Sequence, residues 1–332
     1  MKTKAAILWE RNTPWSVEEI ELDPPMAGEV LVKLAASGMC HSDEHLVTGD
    51  LAGATPEPPL IGGHEGAGVV MEVGPGVFSV APGDHVVFGF IPACGRCPSC
   101  AGGHSNLCDM GNLTASGLQI TDGTSRHHAQ GKDLLLGIGN LGTFAHHTVV
   151  NEASCIKIDA DLPLDKACLL GCGVVTGWGS AVYAADVQPG DTVAVVGVGG
   201  IGANAVQGAK LAGARVVAAI DPVEFKREKA MEFGATHTHS SVEEALGALG
   251  ETTWDRGFDK VIMTIGVGNG DVLGEAFLLG GKRSKIVVTN IHPTAEQTIA
   301  IPAVFLTVFE KQLIGSLFGS ANPRKDIPRL LE

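Results

Sequence analysis

The sequence is poor in aromatic residues and in positive charge. Phe, Trp and Tyr together make up 5% of its 332 residues, whereas glycine occurs 45 times. So many glycines predict frequent tight turns and close approaches between backbone segments. Lysine and arginine total 23 against 37 aspartates and glutamates, which gives a formal net charge of −14. Since this charge repels a phosphate backbone, nucleic acid is not expected as a partner.

Long apolar segments are also missing. No apolar run reaches the roughly 20 residues that a membrane-spanning helix needs. The opening residues, MKTKAAILWERN, hold too short an apolar stretch for the core of a signal peptide. We therefore expect a cytoplasmic protein with no membrane partner. In that compartment, eight cysteines favour metal binding or catalysis over disulfide bonds.

The length of the chain and a change in its pattern predict two domains. Up to about residue 173, short β-like runs such as 30–36 and 67–73 are broken by glycine and proline. From about residue 191, buried-strand runs alternate with helical segments, which is typical of a parallel sheet with helices on both faces. The final letters, IPRLLE, resemble the start of an amphipathic helix.

Four cysteines lie close together in the segment CGRCPSCAGGHSNLC. Cys94, Cys97, Cys100 and Cys108 follow the spacing Cys-x2-Cys-x2-Cys-x7-Cys. Four thiolates close the coordination shell of a tetrahedral ion, so this lobe, at about residues 92–110, is predicted to hold a structural zinc. An iron–sulfur cluster, which also takes four cysteine thiolates, is the alternative.

A second set of candidate metal ligands is scattered along the chain. Cys40, His64 and Cys172 each lie beside glycines that permit sharp turns. One cysteine, one histidine and one cysteine form a recognised catalytic zinc set, which leaves a fourth position open. Taken singly, each of these residues is more often part of a core. The acidic neighbours Asp43 and Glu65 strengthen the joint case, because carboxylates orient metal ligands.

Two further residues near Cys40 are candidates for proton transfer. A hydroxyl such as that of Ser42 can take the proton of a metal-bound alcohol. The imidazole of His45 can pass that proton on towards solvent, because histidine titrates near neutral pH. The pair is therefore a predicted proton relay.

The segment VAVVGVGGIGANAVQGAKLAGARVVAAIDP has the form of a dinucleotide-binding turn. Gly197-x-Gly199-x-x-Gly202 follows a predicted strand and opens a predicted helix, and Asp221 ends the next strand. The glycines let the backbone approach a pyrophosphate, and the aspartate accepts hydrogen bonds from ribose, which favours NAD over NADP. The cofactor-binding residues predicted here are Gly197, Gly199, Gly200, Ile201, Gly202, Asp221 and Lys226.

Taken in order, these motifs resemble the zinc-dependent alcohol dehydrogenases of the medium-chain dehydrogenase/reductase family. The resemblance rests on GMCHSDEH, GGHEGAGVV, the four-cysteine lobe, LLGCGVVTGWG and GVGGIG. It implies an α/β protein with a GroES-like, mostly β catalytic domain at residues 1–173. A Rossmann NAD-binding domain with a doubly wound parallel sheet would follow at residues 174–316. Residues 317–332 would begin the return into the catalytic domain, truncated relative to the family.

The resemblance also implies roles for the candidates. Zinc held by Cys40, His64 and Cys172 would bind the alcohol oxygen, while Ser42 would take its proton and His45 would relay it. The acidic neighbour of the metal would be Glu65, and the residue supporting His64 would be Asp43. The other implied contacts are Phe90 and Phe144 in the substrate pocket, His41 near the pyrophosphate and Val267 near the nicotinamide.

The implied activity is reversible hydride transfer between a primary alcohol or aldehyde and NAD, with one catalytic and one structural zinc per chain. The segments WGSAVYAADVQPGD, DPVEFKREKA and GSLFGSANPR are most similar to a bacterial subgroup that retains NAD and uses an external electron acceptor, such as a nitrosoaniline dye. The stretch DGTSRHHAQGKDLLL is similar to formaldehyde dehydrogenases that act on a thiol adduct, which is an alternative activity. A non-enzymatic dinucleotide-binding protein on the same fold is another alternative. A homo-oligomer, dimer or tetramer, is expected.

Overall fold

The computed structural model describes all 332 residues. They divide into two compact units, one formed by Met1–Cys172 with Asn322–Glu332 and the other by Gly173–Ala321. The strands, in chain order, are β1 (Lys2–Leu8), β2 (Ser16–Leu22), β3 (Glu29–Gly38), β4 (Leu60–Ile61), β5 (Glu65–Val73), β6 (His85–Phe88), β7 (His127–Ala129), β8 (Lys132–Asp133), β9 (Leu135–Leu136), β10 (His147–Asn151), β11 (Cys155–Ile158), β12 (Thr192–Val196), β13 (Val216–Ile220), β14 (His237–His239), β15 (Phe258–Met263), β16 (Gly280–Val288) and β17 (Gln312–Gly315).

The helices are shorter and lie mostly in the second unit. In chain order they are α1 (His41–Thr48), α2 (Pro98–Ala101), α3 (Leu164–Ala167), α4 (Gly173–Gly179), α5 (Gly200–Leu211), α6 (Glu224–Glu232), α7 (Val242–Gly247), α8 (Leu249–Thr253), α9 (Gly270–Leu279), α10 (Ala303–Val308) and α11 (Pro323–Leu331). Short 3-10 helices occur at Ser105–Leu107, Asp109–Ser116, Ile138–Asn140, Glu152–Ser154, Cys168–Gly171 and Phe318–Ser320, and one π-helical turn at Ser180–Ala184.

The first unit is built from two largely antiparallel sheets. One has six strands in the order β8-β7-β2-β1-β4-β9, and the other has five in the order β10-β3-β5-β6-β11. Valines of β3, β5 and β6 pack around the fully buried Phe88 to form a core. The predicted strand segments 30–36 and 67–73 lie inside β3 and β5. Valine is favoured in such strands because its branched side chain fits a pleated, half-buried surface.

The second unit contains one parallel sheet in the order β14-β13-β12-β15-β16-β17. All five residues of β12 are buried. Val193 and Val195 face a core that includes helix α5, while Ala194 and Val196 face another that includes helix α9. Because successive side chains of a strand point to opposite faces, both faces of the sheet are covered by helices. This strand order and covering are those of a doubly wound Rossmann fold.

The last helix differs from the expectation. IPRLLE was predicted to start a helix, but α11 begins at Pro323, and these letters form its second half. Proline suits the first position of a helix, because the N–H that it lacks has no partner there. The helix is fixed within the first unit by Arg324, whose Nε donates to the carbonyl oxygen of Ala93 at 2.8 Å. The prediction was therefore wrong about where this helix begins.

No single helix of the chain is long and apolar enough to cross a membrane. One bent pair, Leu164–Gly171 with Gly173–Ala184, meets the requirement by length and composition alone.

A buried ion pair joins the start of β3 to a distant loop. Glu29 is fully buried, and its two carboxylate oxygens accept from Nη2 and Nε of Arg126 at 2.8 and 2.9 Å. The backbone N–H of Met26 donates to the same carboxylate at 2.9 Å. Arg126 also lies 2.6 Å from the exposed carboxylate of Asp122, so removing Glu29 takes away the buried part of its compensating charge.

We expect Glu29→Gln to lower the free energy of unfolding by about 1–3 kcal/mol, because Arg126 loses its buried charged acceptor and keeps only the contact with Asp122. Denaturation in urea measures the change. The control is Glu19→Gln, which removes the carboxylate of the exposed pair between Glu19 and Lys2 and is expected to have no measurable effect. Equal effects of the two substitutions would show that the buried pair does not stabilise this unit.

Candidate active site and metal centres

The four clustered cysteines face one another in the first unit. Their sulfur atoms all lie within 4.8 Å of each other, with 4.0 Å between Cys94 and Cys100 and 3.8 Å between Cys97 and Cys108. None of them forms a disulfide. Sulfurs held about 2.3 Å from one tetrahedral ion stand about 3.8 Å apart. The observed spacing therefore fits a single ion and leaves little room for a cluster of several metal and sulfide ions.

The local backbone aims these thiols at one point. Gly95 and Gly103 adopt positive φ angles of 75° and 86°, which turn the chain sharply on either side of α2. Backbone N–H groups donate to the sulfurs of Cys94, Cys97 and Cys108, each at 3.4 Å. Although burial opposes it, such N–H groups lower the pKa of the Cys94 thiol to about 6. Hydrogen bonds of this kind stabilise the thiolate form that a metal requires.

The three scattered candidates are brought together in the same unit. The ligand atoms of Cys40, His64, Glu65 and Cys172 all lie within 4.8 Å of one another. Cys40 is partly exposed, whereas the other three are buried. The group is therefore a largely buried cluster of potential metal ligands, in which Cys40 is the most exposed residue.

Each ligand of this second group is placed at the end of an element. Cys40 is the residue before helix α1, where a sharp turn had been expected. His64 lies between β4 and β5, and Cys172 follows the 3-10 helix Cys168–Gly171. Backbone angles at the ends of elements do not repeat from residue to residue. These positions can therefore point their side chains towards the shared site, in directions that a regular strand or helix does not allow.

Asp43 holds the His64 ring in place. Its Oδ1 accepts from the backbone N–H of Gly63 at 2.8 Å, and its Oδ2 lies 3.1 Å from Nδ1 of His64. This contact at Nδ1 leaves Nε2 of the ring for the ligand group. The pKa of His64 is raised above its usual value, because the attraction of Asp43 and Cys40 outweighs the opposing effect of burial.

The donor atoms favour a metal electrostatically. A hydrogen bond from Cys172 lowers the pKa of the Cys40 thiol to about 3, against the effect of burial and with a further contribution from His64. A thiolate and an imidazole in contact are the donor types that zinc prefers. The Glu65 carboxylate fits beside them because Gly38 has no side chain, and a Cβ there would overlap it.

The proposed proton relay lies on helix α1. Ser42 is half-buried, and His45 follows it by three residues, so the two share a face of the helix. His45 is buried, and its Nδ1 lies 2.8 Å from Oδ2 of Asp50. Asp50 was not predicted from the sequence. Its nearness to His45 in the chain was the one available signal, and only the fold shows the contact.

The two predicted pocket aromatics lie beside the His64 segment. The ring of Phe90 packs edge-to-face on His64, with 5.8 Å between the ring centres. Phe144 packs edge-to-face on Trp15 at 5.7 Å, and a Cβ on Gly63 would meet its ring at 2.5 Å. Both aromatic rings therefore help to enclose the segment that carries His64, and Trp15 is a neighbour that the sequence did not indicate.

The second unit contains the glycine-rich turn between β12 and α5. Gly197 has a φ of 89°, and a Cβ there would meet the backbone of Ile265 at 2.8 Å. A Cβ on Gly202 would overlap the carbonyl oxygen of Gly197. These two glycines are required by the packing of the chain itself. Gly199 and Gly200 are exposed, and Ile201 lies with them at the start of α5.

Asp221 follows β13 and braces this turn. Its Oδ2 accepts from the N–H of Val198 at 2.8 Å, and its Oδ1 accepts from the N–H of Val223 at 2.9 Å. Lys226 lies 3.5 Å from the same carboxylate. Of the other cofactor candidates, Val267 is exposed between β15 and α9, and His41 is exposed on α1 in the first unit.

Comparisons with known proteins agree with this architecture. Residues 26–160 match the model of the alcohol dehydrogenase GroES-like domain, and residues 200–332 match that of zinc-binding dehydrogenases. Alcohol dehydrogenase B of Mycobacterium tuberculosis is 49% identical, and the NDMA-dependent alcohol dehydrogenase of Amycolatopsis methanolica is 50% identical. Each alignment spans 100% of this chain and 88% of the relative. The crystal structure of an alcohol dehydrogenase zinc-binding domain protein from Burkholderia ambifaria superposes with a TM-score of 0.92 at 32% identity, covering 100% of this chain and 88% of that one.

The fold and these matches define an oxidoreductase that acts on alcohols. More specifically, the chain belongs to the family of zinc-binding alcohol dehydrogenases with a GroES-like domain. The predicted family, fold class and enzyme class are thereby confirmed.

Gly63 offers a test of the packing around His64. Its φ is 87°, and a Cβ would approach the backbone nitrogen of Phe144 to 2.6 Å. Gly76 has a similar φ of 80° but open space around it. We expect Gly76→Ala to destabilise the protein by about 1–2 kcal/mol through its backbone angle alone. Gly63→Ala is expected to cost about 1–3 kcal/mol more, because the added methyl overlaps Phe144.

Denaturation midpoints of the two alanine variants measure this difference. Equal losses would contradict the prediction, since they would mean that Phe144 moves aside without cost and does not enclose His64.

Proposed function

We propose that this alcohol dehydrogenase oxidises a primary alcohol to an aldehyde with NAD as hydride acceptor and two zinc ions per chain. The observation that carries the proposal is the convergence of Cys40, His64 and Cys172 on one point, with their ligand atoms within 4.8 Å of one another. Cys94, Cys97, Cys100 and Cys108 would hold the second ion. Four sulfur ligands leave no open position, so that ion would be structural.

The residues of the first group fit a catalytic zinc. Cys40, His64 and Cys172 supply three donors of the types that zinc takes, and Glu65 lies beside them as an acidic neighbour. Asp43 orients the His64 ring, as carboxylates commonly do for zinc-binding histidines. When bound, zinc would supply Lewis-acid chemistry that lowers the pKa of the alcohol.

The protein's own groups would then handle the alcohol proton. Ser42 would take the proton from the alcohol while its own hydroxyl proton passes to Nε2 of His45. Phe90, which packs on His64, would exclude water and contact the hydrocarbon part of the substrate. Phe144 would have the same role on the side of Gly63. An apolar surface at this point also favours an uncharged alcohol over a charged substrate.

The second unit fits a dinucleotide. Gly199 has an extended backbone, and a Cβ on it would meet nothing within 4 Å. The chain itself therefore does not require glycine there, whereas a pyrophosphate approaching the N-terminus of α5 would. Gly197, Gly200, Ile201 and Gly202 would complete this phosphate-binding turn. The remaining contacts would be made by His41 with the pyrophosphate, by Lys226 with the adenosine end and by Val267 with the nicotinamide.

Tight retention of NAD and electron transfer to an external acceptor are part of the proposal. They are supported by the 50% identity over the full chain to a relative that is named NDMA-dependent. With retained NAD, a second substrate would have to reoxidise NADH on the enzyme.

The direct test is the composition and activity of the purified protein. We expect two zinc atoms per chain by elemental analysis, and NAD or NADH released on denaturation. Cys40→Ser is expected to abolish alcohol oxidation while the protein keeps its dinucleotide and the zinc of the four-cysteine lobe, because the substitution removes one catalytic ligand.

The matched control is Cys168→Ser, since Cys168 is a free cysteine outside both metal groups. Its activity should stay close to that of the wild type. Full activity in Cys40→Ser, or iron in place of zinc, would refute the proposal.

Asp221 is proposed to select NAD over NADP. Its carboxylate is buried and oriented by two backbone N–H groups, and it would repel a 2′-phosphate on the adenosine ribose. We expect Asp221→Gly to bind NADP at least tenfold more tightly relative to NAD, as measured by dinucleotide titration of the cofactor-free protein. Because the substitution also frees the N–H groups of Val198 and Val223, Asp221→Asn serves as a comparison that removes the charge but keeps one of the two accepting oxygens. An unchanged preference in both variants would remove this role from Asp221.

A further inference from the structure

We propose that Asp50 is a positioning residue for His45, which fixes the imidazole with its proton on Nδ1 so that Nε2 can accept the proton leaving Ser42. The inference rests on the proposed function, in which His45 receives that proton. It adds a third member to the relay, contributed by the chain just beyond helix α1.

The contact defines which ring nitrogen carries the proton. Nδ1 of the buried His45 lies 2.8 Å from Oδ2 of Asp50. An ionised carboxylate can only accept hydrogen bonds, so Nδ1 must be the donor, and Nε2 of a neutral ring is then an acceptor. Hydrogen bonds from His45 and Thr48 lower the pKa of Asp50, which keeps it ionised at neutral pH.

The backbone brings Asp50 to this place by ending the helix. Gly49 adopts a left-handed conformation with φ of 80°, and its N–H donates to the carbonyl oxygen of His45 at 3.0 Å. This cap turns the chain back, so Asp50 meets the last turn of α1. The Thr48 hydroxyl donates to the same Oδ2 at 2.8 Å, which fixes the carboxylate from a second side.

The arrangement suits a proton that must leave the site. When Nε2 takes a proton from Ser42, the ring becomes an imidazolium, and the adjacent Asp50 carboxylate stabilises its charge. A buried imidazole without such a partner would resist the charge, because burial disfavours it. Asp50 is 31% exposed on its side chain, whereas His45 is 2% exposed, so the pair connects a buried ring to solvent. The imidazolium then returns to neutral by losing one proton to water.

Nitrogen-15 NMR of the histidine rings tests the tautomer without any turnover. In the wild-type protein, His45, assigned by the loss of its signals in His45→Gln, should carry its proton on Nδ1. In Asp50→Asn the amide oxygen can still accept from Nδ1 and from the Thr48 hydroxyl, so the proton should stay on Nδ1 while the negative charge that stabilises the imidazolium is lost. In Asp50→Ala, which offers no such acceptor, both tautomers should be present.

The kinetic counterpart is the single-turnover rate of hydride transfer to the cofactor on mixing with alcohol. We expect Asp50→Asn to slow this step about 10- to 100-fold, with little change in KM or in dinucleotide content, since the relay contributes proton transfer and not binding. Glu44→Gln is the matched control. It removes an exposed carboxylate from the same helix, outside the contact with His45, and should leave rate and tautomer unchanged.

The outcomes separate the inference from the function on which it rests. A proton on Nε2 in the wild type, or an unchanged tautomer in Asp50→Ala together with an unchanged rate in Asp50→Asn, overturns the role of Asp50 while alcohol oxidation by the wild type stands. A wild type that retains zinc but oxidises no alcohol overturns the proposed function, and in that case the NMR signals of His45 still decide whether Asp50 sets the tautomer. Misfolding of either Asp50 variant does not prevent a decision, because the wild-type spectrum alone can contradict the inference.

Discussion

The first unit depends on one constraint: it must bring the polar side chains of Cys40, His64 and Cys172 to one point. Cys40 and Cys172 lie 132 residues apart in the chain, and the ligand atoms of the group nevertheless come within 4.8 Å. Burying thiolate and carboxylate groups is costly unless a cation or hydrogen bonds compensate them. Cys40 and His64 lie next to strands of the antiparallel sheets, and Cys172 lies at the end of a 3-10 helix. The Gly38 and Gly63 positions leave room for Glu65 and Phe144. The fold of this unit is therefore shaped around a cluster that would be unfavourable without a metal.

Three aspartates near the candidate sites each hold neighbouring groups in a fixed orientation. Asp43 connects the N–H of Gly63 to the His64 ring, Asp50 connects Thr48 to His45, and Asp221 connects Val198 to Val223. Each carboxylate accepts a hydrogen bond from a backbone or hydroxyl group and also contacts a second partner. A carboxylate held from two sides keeps its orientation, and so it can orient an imidazole or a cofactor-binding turn. In this chain, the acidic residues near the candidate sites orient neighbouring groups as well as supplying negative charge.

Much of the fold was predictable, because its signals are local. Alternating strands and helices from residue 191 onward predict a parallel sheet, and β12 with α5 and β13 form the expected strand–helix–strand unit. The start of α11 was wrongly predicted, because proline favours a helix start and both Pro323 and Pro328 lie in this segment. The helix start at Pro323 is accompanied by a hydrogen bond from the N–H of Asn322 to Oδ2 of Asp326 at 2.7 Å and by the contact of Arg324 with Ala93. Helix α1 was not predicted, because Gly38 and Gly49 on either side of it indicate turns. Gly49 is in fact the C-terminal cap of this helix.

The sequence by itself determined the four-cysteine lobe and the glycine-rich turn, because the residues of each lie within a short segment whose spacing limits how they can be arranged. It also named Cys40, His64 and Cys172 as possible ligands, although each had a commoner interpretation as a core residue. Tertiary structure alone decided that these three meet, that Phe90 packs on His64 and that Asp50 faces His45. The physical reason is distance along the chain. Contacts between remote segments depend on how sheets and loops pack, and this packing cannot be predicted from local propensity or residue spacing.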